Sequence, residues 1–390
     1  MRNDPGGKAR PCTAGVFRQG EQVSRVRRRC VVVALILGSL AVVSGVVYFL
    51  HTRGILYKTV HLPSIDPSFR AHSLNDRGQI VLSSPTGLYV WDPKTGLRDI
   101  GVLAALYPNH PIPINNAGQV CGGLLDPNGC MQAFFWDPNT GLHMLGTFGE
   151  KNSWALALNN KGQVVGFAGP KAHDGSNPPP KAFLWSTGAA PVLLDMRALG
   201  FGGPACVNDQ AQVAGFVYSY GQPKGFFAFR WEATGATSTH LIGDPMSGTV
   251  YIDRHGSVVW ARRKGKDGPS RVVIWEKGDQ ERQIRFSDDA VHIHCVNDAG
   301  QILVSAFQIR SPARRSWFRV AVSRLLPSRE PGAYWLCDPR GKTTHIRAHA
   351  RSISLRFQAV ALNNRGWILG QDYDPNGTGR WLILKPIREN

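Results

Sequence analysis

ALNNKGQVVG (residues 157–166), followed by AFLW (182–185), is the stretch that decides the fold. Asn and Gly tolerate left-handed backbone angles, and Asn hydrogen-bonds its own chain, so NNKG is hairpin-turn chemistry. An apolar strand leaves that turn, and a second one closes on Trp185. The same grammar recurs along the chain. The other turns read NDRG (75–78), NNAG (115–118), NDQA (208–211), DRHG (253–256), NDAG (297–300) and NNRG (363–366). Each runs into an apolar segment: QIVL, QVCG, QVAG, SVVW, QILV and WILG. Seven tryptophans, Trp91, Trp136, Trp185, Trp231, Trp275, Trp335 and Trp381, follow at steps of 45, 49, 46, 44, 60 and 46 residues. Six of them close a mostly apolar run, and Trp381 opens one (WLIL). A period of this size marks a repeat architecture.

Each unit therefore holds a strand into the Asn turn, a β-branched strand out and the tryptophan strand. A DPxTGLxxLG-like tail (91–101, 136–146) adds a fourth. Four short strands in roughly 40 to 45 residues match one propeller blade. The apolar pattern has period two, and Gly, Pro and Asn recur throughout, which argues against helices. The expected fold is an all-β propeller of seven four-stranded blades. Repeat seven stops without a fourth strand, while YKTVHLP (57–63) precedes the first repeat with no blade of its own. Pairing the two would close the ring and remove two sheet edges. A six-bladed ring with one repeat packed outside is the rival.

The combination LNNxGQVVG…AFLW…L resembles the bacterial extracellular HAF repeat. Residues 157–166 with 182–185 are the nearest copy, and 133–136 with 141–146 are another. The resemblance spans about 60–390, strong in repeats two and three and weak in five and six. It implies a β-propeller-like domain outside the cytoplasm and carries no catalytic residues to transfer. Repeat four departs from the pattern at Ala211, where the turn glycine is missing, and repeat five at Asp253, where the leading Asn is missing.

The front of the chain reads as a separate module. Residues 30–50, CVVVALILGSLAVVSGVVYFL, hold no charge. As a helix this run spans about 31 Å, enough for a bilayer core. Arg25, Arg27, Arg28 and Arg29 stand immediately before it, so the positive-inside bias keeps the N-terminus cytoplasmic and exports the rest. The expected organisation is a disordered basic tail (1–29), a transmembrane anchor (30–50), a linker (51–56) and the propeller (57–390). Cleavage after Ser44, as in a signal peptide, is the alternative.

The chain carries Lys+Arg 45 against Asp+Glu 27, a net charge of +18. A basic exported domain suits an anionic polymer, a phospholipid head group or a protein partner; an exported location argues against nucleic acid. In a propeller, loops between the second and third strands open on the face away from the Asn turns. In repeat five that loop carries Arg262, Arg263, Lys264 and Lys266, and in repeat six Arg314, Arg315 and Trp317. These blades are neighbours, so the two loops are expected to form one basic, partly aromatic ridge for an anionic ligand. A solvated charged rim is the plainer reading.

No cofactor is nominated. DYDPNG (372–377) spells the first half of a calcium loop, but Arg380 and Ile383 fall where later ligands belong, so a hairpin turn explains it. His292 and His294 share one face of a strand without an evident third ligand, which favours a channel-lining or core pair. No G-x-S-x-G elbow, P-loop or HExxH helix is present. Function thus reads as a binding or scaffold module. The competing class is a propeller enzyme acting on polysaccharide, a hydrolase or a lyase. Five cysteines, Cys121, Cys130, Cys206, Cys295 and Cys337, lie beyond the anchor; only Cys121 and Cys130, flanking one hairpin, could bridge if the register allows.

Overall fold

A computed structural model describes residues 55–62, 65–101, 112–169, 181–194, 200–221, 224–232, 237–241, 250–263, 270–278, 280–286, 290–307, 333–348, 357–374 and 376–387. The expected tail and anchor (1–29 and 30–50) lie outside these. Among the described residues no helix is long and apolar enough to cross a membrane. The described secondary structure is all β, in seven blades at 70–99, 114–146, 152–194, 201–241, 251–285, 290–348 and 358–386.

Blade one shows the plan. Arg70–Leu74, Ile80–Ser84, Gly87–Asp92 and Gly96–Asp99 pair antiparallel in chain order. The first strands of neighbouring blades lie side by side around the axis. The middle strands, such as Ile80–Ser84 and Gly87–Asp92, are short and mostly apolar because each blade is covered on its two faces by its two neighbours. Seven apolar clusters result, one per interface. Between blades seven and one, for example, Ile80, Leu82 and Trp91 pack on Leu369, Trp381 and Ile383. In blade two the sheet has three strands, and Ile114 supplies the innermost pairing as an isolated bridge to Val120.

Closure follows the expected route and adds to it. Ile55–His61 runs antiparallel beside Gly379–Pro386, with Tyr57 opposite Pro386 and His61 opposite Leu382. It starts two residues earlier than the YKTVHLP reading placed it, inside the expected linker. It also pairs in parallel with Thr343–Ala348 of blade six, Ile55 opposite Ile346. Blades six and seven thereby become one eight-stranded sheet. The chain enters the propeller at the Asn-turn end of this strand, because its start is paired with the end of the third strand of blade seven, at Pro386.

Two of the repeat tryptophans are out of register. The residue that leaves the turn pairs with the tryptophan in blades one to five: Ile80 with Trp91, Val120 with Trp136, Val164 with Trp185, Val213 with Trp231 and Val258 with Trp275. In blade six Ile302 pairs with Cys337, and in blade seven Ile368 pairs with Leu384. Trp335 and Trp381 sit two and three residues earlier in their strands. Spacing alone cannot see such a shift, since a strand can slide while its apolar character is kept.

Cys121 and Cys130 are both free. Cys121 sits at the Asn-turn end of its strand, opposite Phe135, whereas Cys130 precedes Met131 at the far end, opposite Leu125. Met131 faces Leu125, so Cys130 is level with Asp126, five strand steps from Cys121 and about 16 Å away, beyond the roughly 7 Å Cα separation a disulfide spans.

Candidate functional site

The two faces of the ring differ in kind. On one, the turn asparagines form a circular hydrogen-bond chain. The Asn75 Oδ1 accepts the Arg77 and Gln79 amides, and its Nδ2 donates to the Gln79 Oε1 and to the main-chain oxygen of Asn115 in the next blade, 2.9 Å away. Asn115 donates to Asn159 O, Asn159 to Asn208 O, Asn208 to Asp253 O, Asn297 to Asn363 O, and Asn363 back to Asn75 O. One link differs. Asp253 has no amide to donate, and the Arg254 amide instead reaches Asp298 O at 3.1 Å.

A second tier lies on the axis, one residue further on. The Asp76 amide donates to Asn116 Oδ1, Asn116 to Asn160, Asn160 to Asp209, Asp298 to Asn364, and Asn364 to Asp76. The Asn160 Nδ2 also spans the channel to Asp298 Oδ2, 3.3 Å. Burial pushes the Asp298 pKa above its ordinary value, and Asp209 and Asp76 add to the rise against hydrogen bonds from Asn364 and Asn160. Each turn glycine takes positive φ, as Gly162 does at 75°, and a Cβ there would meet Gln119 Oε1 at 3.1 Å. Ala211 holds the same conformation at φ 60°, so repeat four keeps its turn geometry without the glycine.

From this ring a relay runs outward. Gln79, Gln119 and Gln212 accept from their Asn and donate to Asp92, Asp137 and Glu232 at the third-to-fourth-strand turn. Asp92 and Asp137 in turn accept the amides of Lys94 and Asn139. The Asp126 and Asp374 hairpins cap themselves likewise, and Asp372 is buried beside Arg380, so DYDPNG is a capped hairpin. No group of three His, Cys, Asp or Glu among the described residues could hold a metal. This face is answered internally.

The opposite rim varies from blade to blade. The residue three before the turn asparagine is bulged in blades one, three, four, six and seven, at His72, Leu156, Ala205, His294 and Val360. Bulges re-aim side chains at rims. In blade six His292, Ser305 and Tyr334 stand in one register row. His294 meets Ser305 Oγ at 2.9 Å, and the His292 and His294 rings lie 4.7 Å apart. The Tyr334 hydroxyl donates to Phe357 O and accepts the Ala359 amide of blade seven. In blade one His72 meets Ser83 Oγ at 2.7 Å. Burial, with Arg70 nearby, brings the His72 pKa down to about 4; burial and His292 bring His294 to about 4. Both rings are neutral at pH 7.

Across the axis the rim is aromatic. Trp154 stacks on Phe167 in blade three at 4.8 Å. In blade four Tyr218 touches Tyr220 at 4.9 Å and Phe226 at 4.8 Å, and Tyr220 is 74% exposed. Sequence reading missed this arc. Its signal was present in FVYSYGQPKGFFAFRW (216–231), where aromatics crowd both sides of the second-to-third-strand loop.

Of the expected ridge, the Arg262 side chain is described. It forms a two-pronged pair with Glu281 at 2.7 and 3.3 Å, and Glu281 also meets His240 of blade four at 3.0 Å. Burial raises the Glu281 pKa, but hydrogen bonds from Gln283, His240 and Arg262 outweigh it and leave the value lowered. The backbone of Arg263 ends the strand Val258–Arg263. The Arg263 side chain and all of Lys264, Lys266, Arg314, Arg315 and Trp317 lie outside what is described.

Fold and rim together define a seven-bladed β-propeller with one self-bonded face and one variable face. No family model matches the sequence, and no curated protein matches it. Among solved structures the chain is similar to virginiamycin B lyase from Staphylococcus aureus. A catalytically inactive His-to-Ala form with quinupristin aligns at TM-score 0.51 and 7% identity, covering 85% of this chain and 100% of that one. The selenomethionine-substituted enzyme aligns at TM-score 0.50 and 8% identity, covering 85% and 99%. At such identity the likeness concerns the fold.

Proposed function

We propose that the chain is a membrane-anchored, extracytoplasmic binding module of HAF-repeat type whose recognition face is the rim opposite the asparagine ring. One observation carries this reading. The Asn-turn face repeats the same side-chain bonds blade after blade, whereas the opposite rim changes chemistry around the ring, with His and Ser on blades six and one and exposed aromatic rings on blade four. Function concentrates where a rigid scaffold varies its loops. The basic ridge expected of repeats five and six would open on this rim, and an anionic glycan or an acidic protein is the partner its charge would suit. Every carboxylate among the described residues accepts a turn amide or a side-chain hydrogen bond or joins an ion pair, Glu232 through Gln212 of its own blade. A glycoside hydrolase needs two carboxylates free to face one bond. A lyase reading would rest instead on the row at His292, whose ring is exposed.

Retention of the full chain, in non-ionic detergent, on an immobilised acidic polysaccharide at physiological salt tests the proposal. Retention should be lost when Arg262, Arg263, Lys264 and Lys266 are changed to Glu and weakened by Tyr220→Ala. Equal retention of all three proteins would sink the rim assignment. Breakdown of the polysaccharide that His292→Ala abolishes would favour the enzyme.

A further inference from the structure

Besides the missing donor of blade five, the asparagine face departs from its own logic at blade seven, and there the departure gathers charge. In blade seven the relay glutamine is replaced by Trp367, and the Asp that the relay would reach is replaced by Lys385. Trp367 lies beneath the turn of blade one, where a Cβ on Gly78 would come within 3.3 Å of its ring. The Lys385 Nζ sits 3.7 Å from the Trp367 ring centroid, and the Arg365 guanidinium carbon sits 5.4 Å from it. Lys58 of the closing strand is directly opposite Lys385 in the antiparallel register. Arg365 and Lys385 thus share one aromatic platform, with Lys58 facing Lys385 across the strands, and like charges placed opposite each other destabilise a sheet. Elsewhere cations meet an acid, as in Arg262–Glu281, Arg282–Glu276 and Lys181–Glu150, or lie singly over a tryptophan and donate to a main-chain oxygen, as Arg98 and Arg230 do. Among the described residues no ion pair reaches Lys58, Arg365 or Lys385. Burial, then Arg365 and Lys58, lower the Lys385 pKa. The cluster is built for an anion that the protein itself does not supply.

Its place in the chain suggests which anion. Lys58 lies three residues past the start of the closing strand, at the end by which the chain enters the propeller. On the anchored reading, His51–Gly54 alone separate the apolar run from that strand, a covalent reach under about 18 Å. Tryptophan beside lysine and arginine is also the side-chain mixture of a membrane interface.

We propose that Lys58, Arg365 and Lys385, gathered on Trp367, bind the phosphate of an anionic lipid head group, so that the asparagine face rests on the bilayer and the variable rim points away. This rests on the anchored reading above. Calorimetric titration of the full chain in non-ionic detergent, with short-chain phosphatidylglycerol, short-chain phosphatidylcholine and inorganic phosphate as probes, tests it. Phosphatidylglycerol should bind, phosphatidylcholine should not, and K58Q/R365Q/K385Q should bind on the order of 100-fold more weakly. Lys58→Gln alone removes one of two facing charges at an exposed site, keeps the fold and should weaken binding several-fold. Equal binding of both lipids, or unchanged affinity in the variants, overturns the proposal. Inorganic phosphate matching phosphatidylglycerol also overturns it, since the cluster would then be a site for a free anion. Alkaline carbonate extraction of membranes separates the two readings. Release of the chain defeats the anchor, whereas retention without phosphatidylglycerol binding defeats the cluster alone.

Discussion

Asn115→Ala should be among the most damaging single changes outside the apolar core. The Asn115 side chain is 4% exposed and makes four bonds: it accepts the Ala117 and Gln119 amides and donates to Gln119 Oε1 and to Asn159 O. Alanine leaves those two amides and two oxygens without this partner in a nearly dry place. At about 1 kcal/mol net per bond, and about 1–3 kcal/mol for each buried group left unanswered, the loss is about 3–5 kcal/mol. Urea unfolding of the full chain in non-ionic detergent, followed by tryptophan fluorescence, reads it directly. With a denaturant slope of about 3 kcal/mol per molar, the midpoint should fall by about 1–1.7 M. Asn115→Asp keeps the two accepted amides but turns a carboxylate toward two oxygens, and should fall nearly as far. A midpoint within about 0.3 M of the parent for the alanine variant would refute the reasoning. It would mean that water replaces the amide without loss and that the ring does not hold the blades together.

Blade five offers the converse. Asp253→Asn with Ser257→Gln supplies both the missing donor and its relay partner, and should raise the same midpoint by the equivalent of about 1 kcal/mol. Gly162→Ala should cost about 1–2 kcal/mol, because the residue holds φ 75° and its new Cβ would crowd Gln119; a thermal melt suffices to check it. Acid should act through His72 and His294. Their folded pKa of about 4 lies below the ordinary 6.5, so the stability they carry is full above 6.5 and lost as pH falls through 4, by up to ~3 kcal/mol each. His294→Gln should flatten the fall in unfolding midpoint between pH 7 and pH 4. Asp298 works in the other direction. Its raised folded pKa favours the native state below the ordinary 3.8, and that advantage fades as pH rises through the folded value. Asp298→Asn should therefore gain on the parent more at pH 7 than at pH 4, as paired titrations would show.

Much of the fold was legible because its signals are local. An Asn that closes its own turn needs nothing from elsewhere in the chain, so NNKG announces a hairpin wherever it occurs. The closing strand was legible by counting, since seven blades of four strands lacked one. What escaped depends on neighbours. Trp335 and Trp381 sit two and three residues early in their strands, a shift that the apolar character of the strand does not reveal. The parallel seam to blade six has no sequence mark, as parallel pairing leaves no turn. WILG read as an ordinary strand, although its Trp367 stands where other repeats carry glutamine; only the third dimension shows that Lys385 and Arg365 converge on it. The site was legible as charge and not as geometry. The ridge residues stood out by composition, whereas Tyr220 and the His292 row acquire meaning only from the rim they share.

The strand Ile55–His61 sets an order in time. It is synthesised before any blade, yet its partners are the strand ending at Ala348 and the one ending at Pro386. Until those residues exist it has nothing to pair with, and joining them closes a loop longer than any other in the protein, which is slow because distant contacts form late. The blades can therefore condense one by one as an open arc, held locally by their Asn turns, while the first-made strand waits for the last. Synthesis of Gly379–Pro386 and closure of the ring become the same event. A chain arrested before residue 343 lacks both partners and should remain an open arc, and limited proteolysis should cut it readily between residues 55 and 61.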